Sequence, residues 1–120
     1  MSDKDSTDGA RAEQLAADFL QGRGLRLLAR NYRVKGGEVD LVCRDGGVLV
    51  FVEVRLRRNA RYGSALESIT RQKQARVVLA ARHYLASDGA DSACRFDCIA
   101  FDRLEPEALQ WVRDAFTPEV

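Results

Sequence analysis

The sequence predicts an α/β domain in which a mixed central β-sheet is flanked by helices. Residues 37–44 and 48–55 are rich in β-branched residues and follow the period of two that strands show. Residues 9–22 and 65–86 instead repeat their apolar residues at helical spacing. The other predicted strands are residues 25–34, 94–101 and 109–113.

The length of 120 residues is that of one domain, and we assign residues 9–120 to it. The polar residues 1–8 are expected to form a flexible tail. No stretch approaches the ~20 apolar residues of a membrane span, and no signal-peptide apolar region is present, so no membrane partner is expected. An odd number of cysteines predicts reduced thiols, and the cytoplasm is the expected location.

The first predicted helix carries its apolar residues on one arc and ends near Gly22. That arc consists of Ala12, Leu15, Ala16, Phe19 and Leu20. Glu13 lies at the edge of the arc, where a glutamate is usually solvated.

The two strands after it form a predicted hairpin around Asp45-Gly46-Gly47. In a regular strand Val39, Leu41 and Cys43 share one face. With Gly46-Gly47 as a two-residue turn, Asp40 faces Glu53 and Glu38 faces Arg55. With Asp45-Gly46 as the turn, Asp40 faces Phe51 and Glu53 is its diagonal neighbour, at roughly 7–8 Å.

Asp40 and Glu53 are acidic residues inside otherwise apolar strands. A buried carboxylate costs several kcal/mol unless it is paired or binds a metal, so a shared divalent cation is one explanation for both. The alternative is a solvated hairpin face on which Glu38 pairs with Arg55. The nearly continuous apolar run from Val48 to Val54 favours the cation, because a strand buried on both faces leaves little room for an idle glutamate.

Positive charge is concentrated between Val54 and Tyr84. This stretch holds eight basic residues and one acid, which gives it a charge of +7 in a chain whose net charge is +1. A basic surface beside carboxylates is typical of a phosphodiester-binding site. Lys73 interrupts the apolar stripe of the 65–86 helix, so its stem is expected to cover the sheet while its ammonium group reaches an edge.

A series of motifs gives the chain a specific resemblance. The motifs are A-E-Q-L-A-A-D-F-L, N-Y-R, G-E-V-D-L-V, F-V-E-V-R, Y-G-S-A-L-E-S-I-T-R-Q-K-Q-A-R and R-F-D-C-I-A-F. They resemble the YraN-like family of small bacterial proteins, and G-E-V-D-L-V with F-V-E-V-R is similar to the metal-binding core of the PD-(D/E)XK nuclease superfamily. The resemblance implies a restriction-endonuclease-like fold related to archaeal Holliday junction resolvases.

The resemblance also implies a site. Asp40 matches the metal-binding aspartate, Glu53 the acid of the (D/E)XK motif and Glu13 the helix glutamate of resolvase-like members, with Glu38 as an additional candidate ligand. The implied cofactor is Mg²⁺ or Mn²⁺, which prefer oxygen ligands.

Arg55 occupies the position where the superfamily motif has lysine. Arginine keeps the positive charge but cannot be deprotonated in a protein, so it cannot act as a base. In some members of the superfamily the lysine lies on a neighbouring helix, and Lys73 is a candidate for that role.

The function implied is that of a metal-dependent endonuclease acting on DNA, with branched or damaged DNA among the substrates, and with Asp40, Glu53, Arg55 and Lys73 as catalytic residues. The expected nucleic-acid contacts are Arg57, Arg58, Arg61, Arg71 and Arg76. Two alternatives stay open: a catalytically silent nucleic-acid-binding module with the same fold, and a protein-interaction scaffold. Resolvase-like proteins act as dimers, so a homodimer is a further expectation.

Overall fold

The structure is a computed structural model that describes residues 7–56, 69–88 and 93–118. In these ranges five strands form one sheet, with a long helix on each face. The elements are α1 (Thr7–Gly22), β1 (Arg26–Val34), β2 (Gly37–Asp45), β3 (Val48–Leu56), α2 (Arg71–Asp88), β4 (Ala93–Phe101) and β5 (Leu109–Phe116). No helix within the described ranges is long and apolar enough to cross a bilayer.

The sheet is mixed, as the sequence predicts. Its strands lie in chain order, β1-β2-β3-β4-β5. The pairs β1–β2, β2–β3 and β4–β5 are antiparallel, whereas β3 and β4 are parallel. A parallel pair needs a crossover connection, and α2 lies in that connection.

The turn of the β2–β3 hairpin is the two-residue alternative. Asp45 pairs with Val48 and Leu41 with Val52, so Gly46 and Gly47 form the turn. Gly46 has a φ of 61°, a value that two-residue hairpin turns require and that glycine adopts without strain. The alternative turn at Asp45-Gly46 is therefore wrong.

Both faces of the sheet are buried. On the α1 side, Leu41, Val50 and Val52 pack against Ala16 and Leu20. On the α2 side, the core residues include Val42, Leu49, Phe51, Val77 and Ala80. This two-sided burial explains why β3 is almost continuously apolar.

β2 is irregular at Asp40. Val39 lies in the core on the α2 side, whereas Leu41 lies in the core on the α1 side, so the prediction that they share a face is wrong. Asn31 lies opposite Asp40 on β1 and has a φ of 49°, which reverses the direction of its neighbours. β2 pairs with β3 from the turn as far as Leu41 and Val52.

Three helix boundaries differ from the prediction, and one of them is the end of α2, at Asp88 rather than at residue 86. α1 begins at Thr7, two residues earlier than predicted. α2 begins at Arg71 rather than at residue 65, and of the residues between, 65–68 lie outside the described ranges. Thr70 explains the later start, because its hydroxyl accepts the backbone N–H of Lys73 at 3.2 Å and so caps the helix.

Gly37 is the point of closest approach between β2 and α2. A Cβ atom there would lie 2.7 Å from the carbonyl oxygen of Arg76 and 3.0 Å from the amide nitrogen of Ala80. We expect Gly37→Ala to destabilise the fold by about 1–3 kcal/mol, because the helix backbone must move to relieve the overlap. Thermal unfolding measures this loss. Gly47→Ala is the matched control, since a Cβ atom there meets nothing within 4 Å, and an equal effect of both substitutions would contradict the close-packing explanation.

Candidate metal and phosphodiester site

Three buried carboxylates come from three neighbouring elements. Glu13 of α1 is 5% exposed, Asp40 of β2 is 1% exposed and Glu53 of β3 is 4% exposed. Burial of this degree disfavours a charged carboxylate unless the fold provides compensating partners. The contacts of these residues therefore show what each one does.

Asp40 is fixed against β3. Its Oδ2 atom accepts the backbone N–H of Val54 at 2.7 Å, beyond the recorded end of the β2–β3 pairing. This side chain thus satisfies a β3 amide where a strand partner is missing. Because Val54 lies between Glu53 and Arg55, the hydrogen bond places Asp40 beside the E-x-R segment.

Glu13 is held over the same region from the α1 side. Its Oε1 atom accepts a hydrogen bond from Nδ2 of Asn31 at 3.0 Å, and Asn31 lies opposite Asp40 in the β1–β2 pair. A second contact, from Nη1 of Arg30 to Oε1 of Gln14 at 2.9 Å, also ties α1 to β1. Two of the three carboxylates, Glu13 and Asp40, are thus held by contacts with β1 and β3 near the irregular part of β2.

The described ranges contain no group of three or more histidine, cysteine, aspartate or glutamate side chains close enough together to hold a metal ion. The structure therefore brings together the elements that carry Glu13, Asp40 and Glu53 without forming a complete ligand cage from them.

Glu38 makes a different set of contacts. Its carboxylate lies 3.5 Å from Nε of Arg33 and 3.8 Å from Nη2 of Arg76. These ion pairs join β2 to β1 and to α2, in place of the pair with Arg55 that the sequence left open. Partly exposed pairs of this kind add little stability, but they place the Arg76 guanidinium next to Glu38, which lies two residues before Asp40 on β2.

Arg55 and Lys73 are the basic residues for which the resemblance implies a catalytic role. Arg55 is half-buried on β3, and its Nε atom is buried without a hydrogen-bond partner in the described part of the chain. A buried donor without an acceptor is costly, so this N–H is suited to donate a hydrogen bond to an oxygen atom from outside the chain. Lys73 is half-buried in the first turn of α2.

The predicted nucleic-acid contacts fall into two groups. Arg71 and Arg76 are exposed on α2, where the described residues from 71 to 87 include basic side chains and no acid. The other three predicted contacts, Arg57, Arg58 and Arg61, lie outside the described residues.

Sequence reasoning missed Asn31. It belongs to the quoted N-Y-R motif, but its role depends on a positive φ at the kink and on its hydrogen bond to Glu13. Asparagine is one of the few residues that tolerate positive φ, which was the available signal.

Asp97 was also missed as a structural centre. It is fully buried, and its carboxylate accepts hydrogen bonds from Nε of Arg95, from Nε1 of Trp111 at 3.0 Å and from the backbone N–H of Asp114 at 2.9 Å. This network lies on β4 and β5 and serves the fold.

The cysteines are free thiols, as the sequence predicts. Burial, with a smaller effect from the charge of Asp97, raises the pKa of Cys43 to about 11. At pH 8 we expect a thiol reagent to modify the exposed Cys94 quickly and to reach Cys43 and Cys98 only after unfolding. Rapid modification of all the thiols in the folded protein would contradict this burial.

The raised pKa of Cys43 also makes the stability of the fold depend on pH. The unfolded thiol ionises near its ordinary pKa of 9.0, whereas the folded thiol keeps its proton to about 11. Its stabilising contribution is therefore present below pH 9.0 and is lost as the pH rises to about 11. The Cys43→Ala variant should therefore lose less stability than the wild type as the pH rises through this range.

Comparison with known proteins gives the family. The model of the family described as "Uncharacterised protein family UPF0102" matches residues 12–101. A UPF0102 protein of Dechloromonas aromatica is 48% identical over 118 residues, which is 98% of this chain and 95% of that protein. Another from Cupriavidus taiwanensis is 54% identical over 109 residues, or 90% of this chain and 81% of that protein. A third, from Aeromonas hydrophila, is 51% identical over 111 residues, or 90% and 83%. The chain therefore belongs to the uncharacterised protein family UPF0102, the YraN-like family that its motifs resemble.

Proposed function

We propose that this protein is a divalent-metal-dependent endonuclease that hydrolyses phosphodiester bonds in DNA, with branched or damaged DNA as its candidate substrates. The observation that carries the proposal is the hydrogen bond from the Val54 amide to Asp40, which fixes one buried carboxylate beside Glu53 and Arg55. The order α1-β1-β2-β3-α2-β4 is compatible with the restriction-endonuclease-like fold that the motifs resemble.

The donor set fits a hard cation. Asp40 and Glu53 supply oxygen ligands, and Mg²⁺ is commonly bound through one or two carboxylates while it keeps several waters. A complete protein cage is therefore not required. The bound cation would polarise the phosphate and lower the pKa of a coordinated water. Mn²⁺ accepts the same ligands.

The remaining residues of the proposed site support the carboxylate pair or supply positive charge for the phosphate. Glu13 is held by Asn31 at the side of Asp40 that faces α1, where it supports the carboxylate pair. Arg55 supplies a fixed cation two residues after Glu53, and its buried Nε is suited to a phosphate oxygen. Lys73 supplies a second charge from the first turn of α2.

Glu38 fits a positioning role better than a ligand role. Its carboxylate already faces Arg33 and Arg76, whose positive charges compete with a metal ion for it. By holding Arg76 near Asp40, Glu38 directs a phosphate-binding guanidinium toward the substrate backbone.

A cleavage screen tests the proposal. Single-stranded, duplex, flap and junction DNA are incubated with the protein and Mg²⁺ or Mn²⁺, with a chelator as the metal-free control and Glu53→Gln as the matched inactive variant. We expect metal-dependent cutting of at least one DNA by the wild type and none by the variant. Cutting that survives in Glu53→Gln would indicate a contaminating nuclease. Size measurements of the active species test the homodimer that resolvase-like proteins imply.

A catalytically silent nucleic-acid-binding module is the second candidate. It is favoured by Arg55, because an arginine at the lysine position of the motif cannot exchange a proton with the attacking water. Salt-dependent DNA binding without cleavage under either metal would select this alternative.

Substitution of Arg55 separates the two candidates. If Arg55 stabilises the charge that develops on the phosphate, Arg55→Ala should slow cleavage by a factor of about 10²–10³, as the loss of one well-placed donor does in other enzymes. Arg55→Lys keeps the charge and restores the motif, so it should retain or increase the rate. Single-turnover cleavage measures both rates. If Arg55→Ala cuts as fast as the wild type, Arg55 has no part in catalysis.

A further inference from the structure

α2 carries a second stripe of side chains beside the one that packs on the sheet. Its members recur at intervals of three and four residues and form one wall of a cleft: Arg71, Gln74, Ala75, Val78, Leu79 and Arg82. The other wall is the segment 116–118, at and after the end of β5. The cleft has a volume of about 400 Å³, which lies within the range of small-molecule sites.

The cleft is apolar at its centre and positively charged at its ends. Leu79, at 36% exposed, is the most exposed large apolar side chain in the described ranges. It lines this cleft together with Val78 and Phe116. Arg71 and Arg82 are eleven residues apart, which places them about 16 Å apart along the helix. None of the described residues that line the cleft is acidic.

This charge pattern disfavours a symmetrical pairing of two copies through the stripe. If two α2 helices packed antiparallel about its centre, Arg71 of each would meet Arg82 of the other, and like charges would repel. The complementary occupant has anionic groups and apolar surfaces within one extended chain. Unpaired nucleotides have this combination, because each joins a phosphate to a base with apolar faces.

A further arginine of α2 lies outside the cleft, next to β2. Arg76 lies on α2 between Arg71 and Arg82 in sequence. It pairs with Glu38, which lies two residues before Asp40 on β2.

We propose that the cleft between α2 and residues 116–118 binds unpaired nucleotides of a DNA strand, with their phosphates on Arg71 and Arg82 and their bases against Leu79 and Phe116. The inference rests on the proposed function and narrows its substrate class to DNA that contains unpaired nucleotides.

Binding measured in a metal chelator tests the cleft separately from catalysis. The probes are a labelled oligothymidylate of about 20 nucleotides, longer than one typical single-strand site, and a duplex of equal length. Leu79→Gln removes the apolar contact without changing charge. Arg82→Gln removes one cation, and its matched control is Arg11→Gln on α1, an exposed arginine on the other face of the sheet.

We expect the wild type to prefer the single strand. Leu79→Gln should weaken single-strand binding at least about fivefold, as loss of one base contact does elsewhere, and should leave duplex binding unchanged. Arg82→Gln should weaken single-strand binding more than Arg11→Gln does. Thermal unfolding of each variant confirms that the fold is retained.

Each other outcome overturns the inference. Equal binding of both DNAs by the wild type, with no effect of Leu79→Gln, overturns the cleft and leaves the proposed function intact if the cleavage screen is positive. Absence of binding to every DNA overturns both. If a peptide rich in glutamate and leucine binds in a Leu79-dependent manner and the oligothymidylate does not, the cleft is a protein-docking site.

Discussion

Asp97→Ala is expected to destabilise the protein by about 3–5 kcal/mol, the range seen when one partner of a buried ion pair is removed. The substitution leaves the Trp111 indole N–H and the Asp114 backbone N–H without their acceptor and removes one of the two carboxylates that face Arg95. Domains of this size have total stabilities of about 5–15 kcal/mol, so the variant should be marginally folded at 37 °C. Denaturant unfolding followed by the fluorescence of Trp111, the chain's single tryptophan, measures the loss.

The expected loss is large because Asp97 joins two strands at an irregular point. The β4–β5 register shifts between Phe96 and Cys98, and Asp114 on β5 has a φ of 55°. The Asp97 carboxylate satisfies the amide of that strained residue. Arg95 extends the network to Asp45 at the end of β2, at 3.0 Å, so the carboxylate also supports the start of the hairpin turn.

The control is Glu105→Ala, which removes an exposed carboxylate paired with the exposed Arg103. Exposed pairs contribute little, so its unfolding curve should match that of the wild type. Asp97→Asn, which keeps the volume and one acceptor oxygen, should fall between the two. If Asp97→Ala unfolds like Glu105→Ala, the network does not stabilise the fold in the way described.

Asp40→Asn is expected to reduce cleavage at least about a thousandfold, because a metal ion supplies several kcal/mol of transition-state stabilisation and each ~1.4 kcal/mol is a factor of ten. Asparagine retains a carbonyl oxygen that can accept the Val54 amide, so the fold should be largely preserved. Asp40→Ala removes both the charge and the acceptor, and it should lose stability as well as activity. An Asp40→Asn protein that cuts DNA like the wild type would remove Asp40 from the site.

The sequence was sufficient for the fold class and for the pairing of β2 with β3, because both depend on local patterns. Strand alternation and the turn residues left two hairpin registers open, and the observed turn is the one at Gly46 and Gly47. The nearly unbroken apolar run of β3 indicated burial on both faces, and both faces are buried. The register then placed Asp40 and Glu53 at the same end of the hairpin.

What the sequence could not predict depends on single residues acting over a distance. Period-two reasoning assigned Val39 and Leu41 to one face, but the kink at Asn31 and Asp40 separates them, and a positive φ at asparagine has no periodic signal. Helical periodicity extended α2 back to residue 65, whereas the Thr70 cap starts it at Arg71. The ion-pair partners of Glu38 could not be predicted from sequence periodicity either, since Glu38 contacts an arginine of β1 and one of α2.

The candidate site was predictable only in part for the same reason. Motifs identified Asp40, Glu53 and Glu13, and contacts with Val54 and Asn31 relate two of these carboxylates to one kink in the sheet. The cleft beside α2 could not be foreseen, because its second wall, residues 116–118, lies far from α2 in sequence.

Calorimetric titration with Mn²⁺ tests the central claim, that Asp40 and Glu53 together bind a divalent cation, most directly. Wild type, Asp40→Asn, Glu53→Gln and Glu38→Gln are compared after their folding is confirmed by thermal unfolding. We predict Mn²⁺ binding to the wild type, its loss in Asp40→Asn and in Glu53→Gln, and its retention in Glu38→Gln, because Glu38 is engaged with Arg33 and Arg76. Equal Mn²⁺ binding by the wild type and Asp40→Asn, or no binding by the wild type, would contradict the claim.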